Sequence, residues 1–371
     1  MEYTSPLLSR PSAIAGAGVD SPVAAHYGQP LKEQRALAAG RAVADLSQLG
    51  VVTVSGPDRL SWLDTLSSQR VSGLAAGAST QLLLLDLQGR IDFDIRLVDD
   101  GETAWLIVEP GLAESLAAFL DRMRFMLRVE VADVSAGWAV LGSTGPVPAL
   151  DGLLFWQDPW PEVTEGGYSY AAVDVEQHPG RDRPWREWLV PQGELAERTE
   201  GLELAGMMAV EALRIAAWRP RQGFETDSRA IPHELDLIRT AVHLTKGCYK
   251  GQETIARVHN LGHPPRRLVL LQLDGSQHTL PALDSPVVLE GRTVGRLSSV
   301  AQHHEMGPIA LALVKRSVDP SAVLSVVDST GSQDAEGNPV EETYTAAQEV
   351  IVAPEAGQVV GRQSGFLRAP R

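Results

Sequence analysis

One cysteine in 371 residues, no apolar run of membrane-spanning length, and few cations for so many acids are the sequence's main shortages. Each excludes something. A single thiol cannot close an intrachain disulfide, which fits a reducing cytoplasm. Nor can it supply an iron–sulfur cluster or a cysteine-rich zinc site by itself, since these take several thiolates. A bilayer-spanning helix needs about 18 consecutive apolar residues, so no membrane partner is expected. The balance of 32 Lys+Arg against 47 Asp+Glu, a formal net charge of −15, argues against direct nucleic-acid binding, which runs on surplus cations. Residues 1–25 have neither the basic start nor the apolar h-region of an export signal and read as a flexible lead-in. The length, with 44% hydrophobic and 21% charged residues, suits a soluble globular chain of two or three domains.

Periodicity divides the rest. Within a first domain at 26–135, a short amphipathic helix at 31–41 precedes a unit from about 50 to 135. That unit runs strand 51–54, helix 58–68, strands 80–87 and 91–98 around Gln88-Gly89-Arg90, helix 112–123 and strand 128–134. The order βαββαβ is a ferredoxin-like split unit. A second α+β domain, 136–264, has expected strands at 138–142, 168–175 and 187–190 and a helix at 201–218. After Pro264-Pro265 helical periodicity stops, and short strands separated by turn residues predict a small β-barrel over 265–371. The acidic stretch 328–345 reads as a mobile loop before a last strand near 349–352, with a disordered tail after Pro354.

The most specific stretch is Lys246 to Arg267, KGCYKGQETIARVHNLGHPPRR. Gly247 and Gly251 free the backbone around Cys248, Tyr249 and Lys250. Gln252 to Val258 has helical spacing, and Asn260-Leu261-Gly262 before Pro264-Pro265 stops it. Cys248 thus precedes a helix N-terminus, where free amides favour anions and a thiolate. Lys246, Lys250, Arg257, Arg266 and Arg267 face one acid, Glu253, so the turn also reads as an anion seat. A small buried residue is an equally good reading of Cys248. Further upstream, Glu211, Arg214, Ile215 and Trp218 fall at i, i+3, i+4 and i+7. A carboxylate held ionised by arginine could accept two parallel donors while Trp218 stacks on the ring that carries them. An ordinary intrahelical salt bridge is the plainer alternative. Asp92 and Asp94, two apart on a strand, share a face and raise one another's pKa if the site is dry; a solvated face is the plainer reading.

Together these residues resemble a known family. KGCYKGQETIAR resembles the K-G-C-Y-x-G-Q-E motif of the YgfZ folate-binding proteins, relatives of the T-protein of the glycine cleavage system. EALRIAAWRPRQGFETD, Glu211 to Asp227, is similar to that family's E-x-x-R-I…P-x-x-G helix and exit. Ile231-Pro232-His233-Glu234 is similar to its I-P-x-E, and Val52 to Leu66 with Gly89 to Asp94 to its folate-domain start. The resemblance covers roughly Ala44 to Val314. It implies an α+β, three-domain cloverleaf, with ferredoxin-like units and a C-terminal β-barrel around a central channel that takes tetrahydrofolate.

It also implies an auxiliary role in iron–sulfur cluster assembly or repair, including for tRNA-modifying radical enzymes, more than an enzyme's. Glu211 would face the pterin, with Arg214, Trp218, Tyr249 and Gln252 in the cofactor set. Lys246, Lys250 and Arg257 would draw the glutamate tail, and Cys248 with Lys246 would be the functional pair. Asp94 would lie near the reactive nitrogens, as in the T-protein branch. The expected partners are a folate and iron–sulfur client or carrier proteins of a monomeric cytoplasmic chain with no metal of its own. Ala216 and Trp218 stand where T-proteins usually have an acid and a glycine, and T-proteins lack the cysteine motif. The alternative function is a folate-dependent aminomethyltransferase or demethylase in which Asp94 orients the attacking amine.

Overall fold

A computed structural model describes residues 3–277, 279–333 and 339–357. Its first sheet is antiparallel throughout, in the order Ser79–Leu85, Ile91–Asp99, Thr103–Val108, Gly50–Ser55, Glu130–Asp133. Helices Arg59–Leu66 and Ala113–Met123 cover one face of it and bury Trp62, Leu63, Leu116 and Leu120. Thr103–Val108 corrects the expected βαββαβ order to βαβββαβ. The segment, TAWLIV, is rich in strand formers; it pairs with both Ile91–Asp99 and Gly50–Ser55 and so holds the centre of the sheet.

The second sheet runs Phe155–Gln157, Arg186–Pro191, Trp138–Ser143, Ala42–Asp45, Glu203–Ala205. Ala42–Asp45 therefore crosses from the first half of the chain into the second unit. The expected strand at 168–175 is irregular backbone carrying one isolated bridge, Ala171 to Val352. The expected helix at 201–218 is the strand Glu203–Ala205 followed by the helix Met207–Ala216. It stops two residues short of Trp218, which sits in the left-handed region at φ +60°.

Six strands close a barrel in the order Arg266–Leu273, Gly307–Lys315, Arg292–His303, Pro286–Leu289, Val323–Gln333, Pro339–Val350. The last two form an antiparallel ladder over the described ends of the stretch read as a mobile loop, Asp328 to Thr345, of which 334–338 lie outside the described residues. Its acids and turn-forming residues hide the strands from a composition-based reading. The tail expected to be disordered lies, beyond residue 357, outside the described residues. No helix among the described residues is long and apolar enough to cross a membrane. One buried cluster draws on all three units, with Leu83 from the first, Ile215 and Ile255 from the second, and Leu268 and Leu313 from the barrel.

The lead-in is part of this body. Ile14–Ala15 pairs with Ala24–His26, Leu7 and Val23 are buried, and Asp20 reaches across to Arg221 at 2.7 Å. The expectation of a flexible segment fails because its few apolar residues find a hollow and its carboxylate finds a guanidinium.

The cysteine motif is set by two glycines that cross. Gly251, at φ +86°, would place a Cβ 2.7 Å from the Asp86 carbonyl oxygen and 3.1 Å from Gly89 Cα. Gly89 is itself at φ +74°. The motif thus lies on the hairpin turn of the first sheet. Gly251→Ala is expected to lower stability by about 2 kcal/mol from strain and crowding, read from the urea midpoint. An unchanged midpoint would mean that the contact yields freely.

Candidate functional site

Helix Met207–Ala216 and its exit bring Glu211, Arg214, Arg219 and Arg221 against Asp94, Arg96 and Glu109 of the first unit. Glu211 accepts a bidentate pair from Arg214, at 2.9 Å to Oε1 and 2.7 Å to Oε2. Arg221 Nη1 lies 3.4 Å from its Oε1. The plain salt bridge is therefore present, but it belongs to a larger array. Arg214 also donates to Ser299 of the barrel at 2.6 Å and to Glu225 at 3.1 Å. Arg221 donates to Glu109 at 2.7 Å and, through both terminal nitrogens, to Asp20. This one layer of ions joins the lead-in, both sheets and the barrel.

Burial and charge compete at each carboxylate. For Glu211 burial favours the neutral form, but Arg214 and Arg221 outweigh it and hold the pKa at about 2. Asp94 behaves oppositely. Burial pushes its pKa up, and Arg219, Arg96 and a hydrogen bond from Gln81 at 2.6 Å offset this only in part. Burial likewise raises Glu187. Arg221 and Arg96 likewise lower Glu109 against its burial, so the cavity holds two firmly ionised acids, Glu211 and Glu109, and two, Asp94 and Glu187, that bind protons more readily.

Five buried polar atoms lining this cavity have no hydrogen-bond partner among the described residues: Arg96 Nη1, Arg183 Nε, Arg219 Nη1, Glu187 Oε2 and Gln48 Oε1. Arg96 Nη1 and Glu187 Oε2 face one another at 3.7 Å, beyond hydrogen-bond reach. Leaving such a group unpaired costs about 1–3 kcal/mol, so this concentration marks a place built for polar guests. The cavity is small, about 50 Å³, room for a few waters. It adjoins larger hollows on two sides. One of about 660 Å³ shares Glu109 and Gln222 with it, and one of about 250 Å³ shares Met207 and Glu211. Asp20 of the lead-in lines both.

The sequence-derived residues separate into groups. Glu211, Arg214 and Asp94 meet at the cavity. Trp218 does not. Once the helix ends at Ala216 the i+7 relation is lost, and the indole, 2% exposed, packs edge-on to His178. Asp92 and Asp94 also part, since Asp92 lies 3.7 Å from Lys250 and outside the cavity. Lys246 is buried, and its ammonium donates to the carbonyls of Asp64, Ser67 and Gln69 at 2.5, 2.9 and 2.8 Å. That arrangement is a cap on the end of helix Arg59–Leu66 and leaves nothing to activate a thiol.

Arg257 pairs with Glu253, Arg266 with Asp227 and Glu234, and Arg267 turns into the barrel wall toward Gln348. The expected anion seat is thus dispersed, because helix and strand periods send these cations to different faces. Cys248 is exposed and outside the central cavity, while Tyr249 and Gln252 line a separate one beside their helix. Sequence reasoning missed Asp20, Arg96, Glu109, Asp158, Arg183, Glu187, Arg219 and Arg221. The pair of arginines in Trp218-Arg219-Pro220-Arg221 was the one local signal.

Residues 23–149 match the family model of the GCVT N-terminal domain. Among curated relatives, a putative chloroplastic transferase of Arabidopsis thaliana is 26% identical over 329 residues, spanning 83% of this chain and 72% of that one. An aminomethyltransferase of Moorella thermoacetica is 25% identical over 310 residues, spanning 78% and 82%. The aminomethyltransferase of Streptomyces avermitilis is 25% identical over 342 residues, spanning 86% and 90%. The crystal structure of glycine cleavage system aminomethyltransferase T from Bartonella henselae superposes with a TM-score of 0.70 at 20% identity, over 95% of this chain and 97% of that one. The chain therefore has the aminomethyltransferase T fold, barrel included. The domain match and these relatives make the aminomethyltransferases the proteins this chain is similar to.

Proposed function

We propose that this chain is a tetrahydrofolate-binding protein of the aminomethyltransferase type that handles a one-carbon unit at the central cavity. One observation carries the reading. An ionised Glu211 and an Asp94 whose pKa burial raises line the same cavity, among buried guanidinium and carboxylate atoms without partners. A pterin edge carries donors and acceptors side by side. Glu211 and Glu187 would accept from it, and the free nitrogens of Arg96, Arg183 and Arg219 would donate. The relatives named aminomethyltransferase support the same class.

Tetrahydrofolate, when bound, supplies the amine nitrogens that take the one-carbon unit. The protein's own contribution is to hold the ring on Glu211, to exclude water by burial and to offer the buried Asp94 carboxyl, whose pKa burial raises, to orient the attacking amine. Because the cavity is about 50 Å³, a bound ring would extend from it into the adjoining hollows. Calorimetric titration with tetrahydrofolate tests the binding. Asp94→Asn is expected to reduce turnover of an aminomethylated carrier by about 100-fold, with folate affinity nearly unchanged. Full turnover in this variant would remove Asp94 from the reaction.

A second reading is kept for one observation. Cys248 is exposed between glycines on a loop whose other side chains are fixed, as a thiol meant for another molecule would be. This is the auxiliary iron–sulfur role of the YgfZ branch, and the cysteine motif alone supports it. Cells carrying only Cys248→Ser would then lose cluster-enzyme activity while carrier turnover persists.

A further inference from the structure

The central cavity makes no use of the cysteine motif, and the motif's residues instead wall a second hollow. Between loop 166–168, segment 244–249 and the helix Gln252–Leu261 lies an open cavity of about 710 Å³. Ligand sites occupy about 300–1,000 Å³. Two polar side chains, each more than nine-tenths buried, line it with atoms that have no partner among the described residues. His259, 6% exposed, shares a hydrogen bond between Nδ1 and the Tyr170 hydroxyl at 2.9 Å, which leaves Nε2 unpaired. Tyr249, 8% exposed, has an unpaired phenol. Neither atom is among the sealed, partnerless ones, and both residues line the cavity.

The walls are held from behind. Gly166 and Gly167 press on residues 239–243 so closely that a Cβ would come within 2.5 Å of the His243 ring or 2.4 Å of the Arg239 carbonyl oxygen. Gln252 donates to the Lys246 carbonyl at 3.2 Å, and Lys246 is pinned on the first unit. Such support fixes Tyr168 and Tyr249 as aromatic walls, with Leu244 and Ile255 beside them. The one ionised side chain in the lining is Glu253, paired with Arg257 at 2.6 Å, and no Lys or Arg lines it. A phosphate or carboxylate would meet an acid there and no cation.

We propose that this cavity is a binding site, separate from the central one, for an uncharged planar heterocycle of purine size, a free base or nucleoside rather than a nucleotide. The ring lies against Tyr168 and is hydrogen-bonded at its edge by His259 Nε2 and the Tyr249 hydroxyl. The proposal stands on this cavity alone and does not depend on folate binding elsewhere.

Titration calorimetry of the full chain with adenosine, guanosine and adenosine monophosphate tests it. One of the nucleosides is expected to bind in the millimolar range or tighter, with no gain from the phosphate. Tyr249→Phe removes a single hydrogen bond and should weaken binding about 3- to 10-fold. Ala256→Trp, from an exposed position on the cavity wall, should abolish it without touching the core. The proposal is overturned if neither nucleoside binds up to its solubility limit, if the monophosphate binds ten times more tightly than adenosine, or if Ala256→Trp binds as the parent does.

Discussion

Lys246→Met is expected to lower stability by about 3–5 kcal/mol, seen as an early first transition in urea, since three buried carbonyls then lose their donor. The side chain is 1% exposed, and its ammonium bridges the carbonyls of Asp64, Ser67 and Gln69 at the end of one helix to the cysteine loop. Cationic charge at a helix C-terminus also meets the negative end of its dipole. Methionine keeps most of the length and the apolar stem, so the loss isolates the ammonium. The same experiment separates this reading from the one suggested by sequence. Were Lys246 a partner of the Cys248 thiol, stability would hold and only the rate of thiol alkylation would fall. Such a pattern would overturn the structural assignment.

Glu211→Gln is expected to weaken tetrahydrofolate binding by about 100-fold or more, and to destabilise the fold by about 2–3 kcal/mol, because Arg214 and Arg221 each lose one of their buried counter-charges, Glu225, Glu109 and Asp20 remaining. A neutral amide keeps the shape, so steric loss does not enter. Unchanged folate affinity in a variant that still folds would end the role given to Glu211. The carboxylate also sets a pH dependence. Its folded pKa is about 2 against an ordinary 4.5, so its contribution is complete above pH 4.5 and disappears as pH falls toward 2. That difference of about 2.5 units corresponds to at most about 3 kcal/mol. The acid limb of a stability–pH curve should be flatter in the variant across that window.

Local signals gave the pieces whose physics is local. The helix Gln252–Leu261 was legible because its stop, Gly262 before Pro264-Pro265, forbids continuation. The barrel was legible because short strands and turns alternate without helical spacing. Glu211 with Arg214 was legible as an i, i+3 pair. Trp218 was misplaced for a reason of the same kind. The i+7 argument holds only while the helix lasts, and nothing in Ala216-Ala217-Trp218 announces a left-handed residue. The strand Thr103–Val108 escaped because Gly101 and Glu102 before it look like a long turn. The hairpin Val323–Gln333 with Pro339–Val350 escaped because its acids look like loop composition.

The chain order by itself determined the stop of helix Gln252–Leu261, the change from mixed units to a barrel, the pairing of Glu211 with Arg214 and the solitary thiol at a glycine-framed turn. These follow from torsional limits and from spacings of a few residues. Only the tertiary structure decided that Arg96, Glu109, Asp158, Arg183 and Arg221 converge on one hollow with Asp20 paired to Arg221 beside it, and that Lys246 and Cys248 part company. Ion pairs between residues as far apart as Asp20 and Arg221 have no period in the sequence. Which charge meets which is settled when the lead-in, the two sheets and the barrel close on a common centre, where low polarity makes each unpaired group costly.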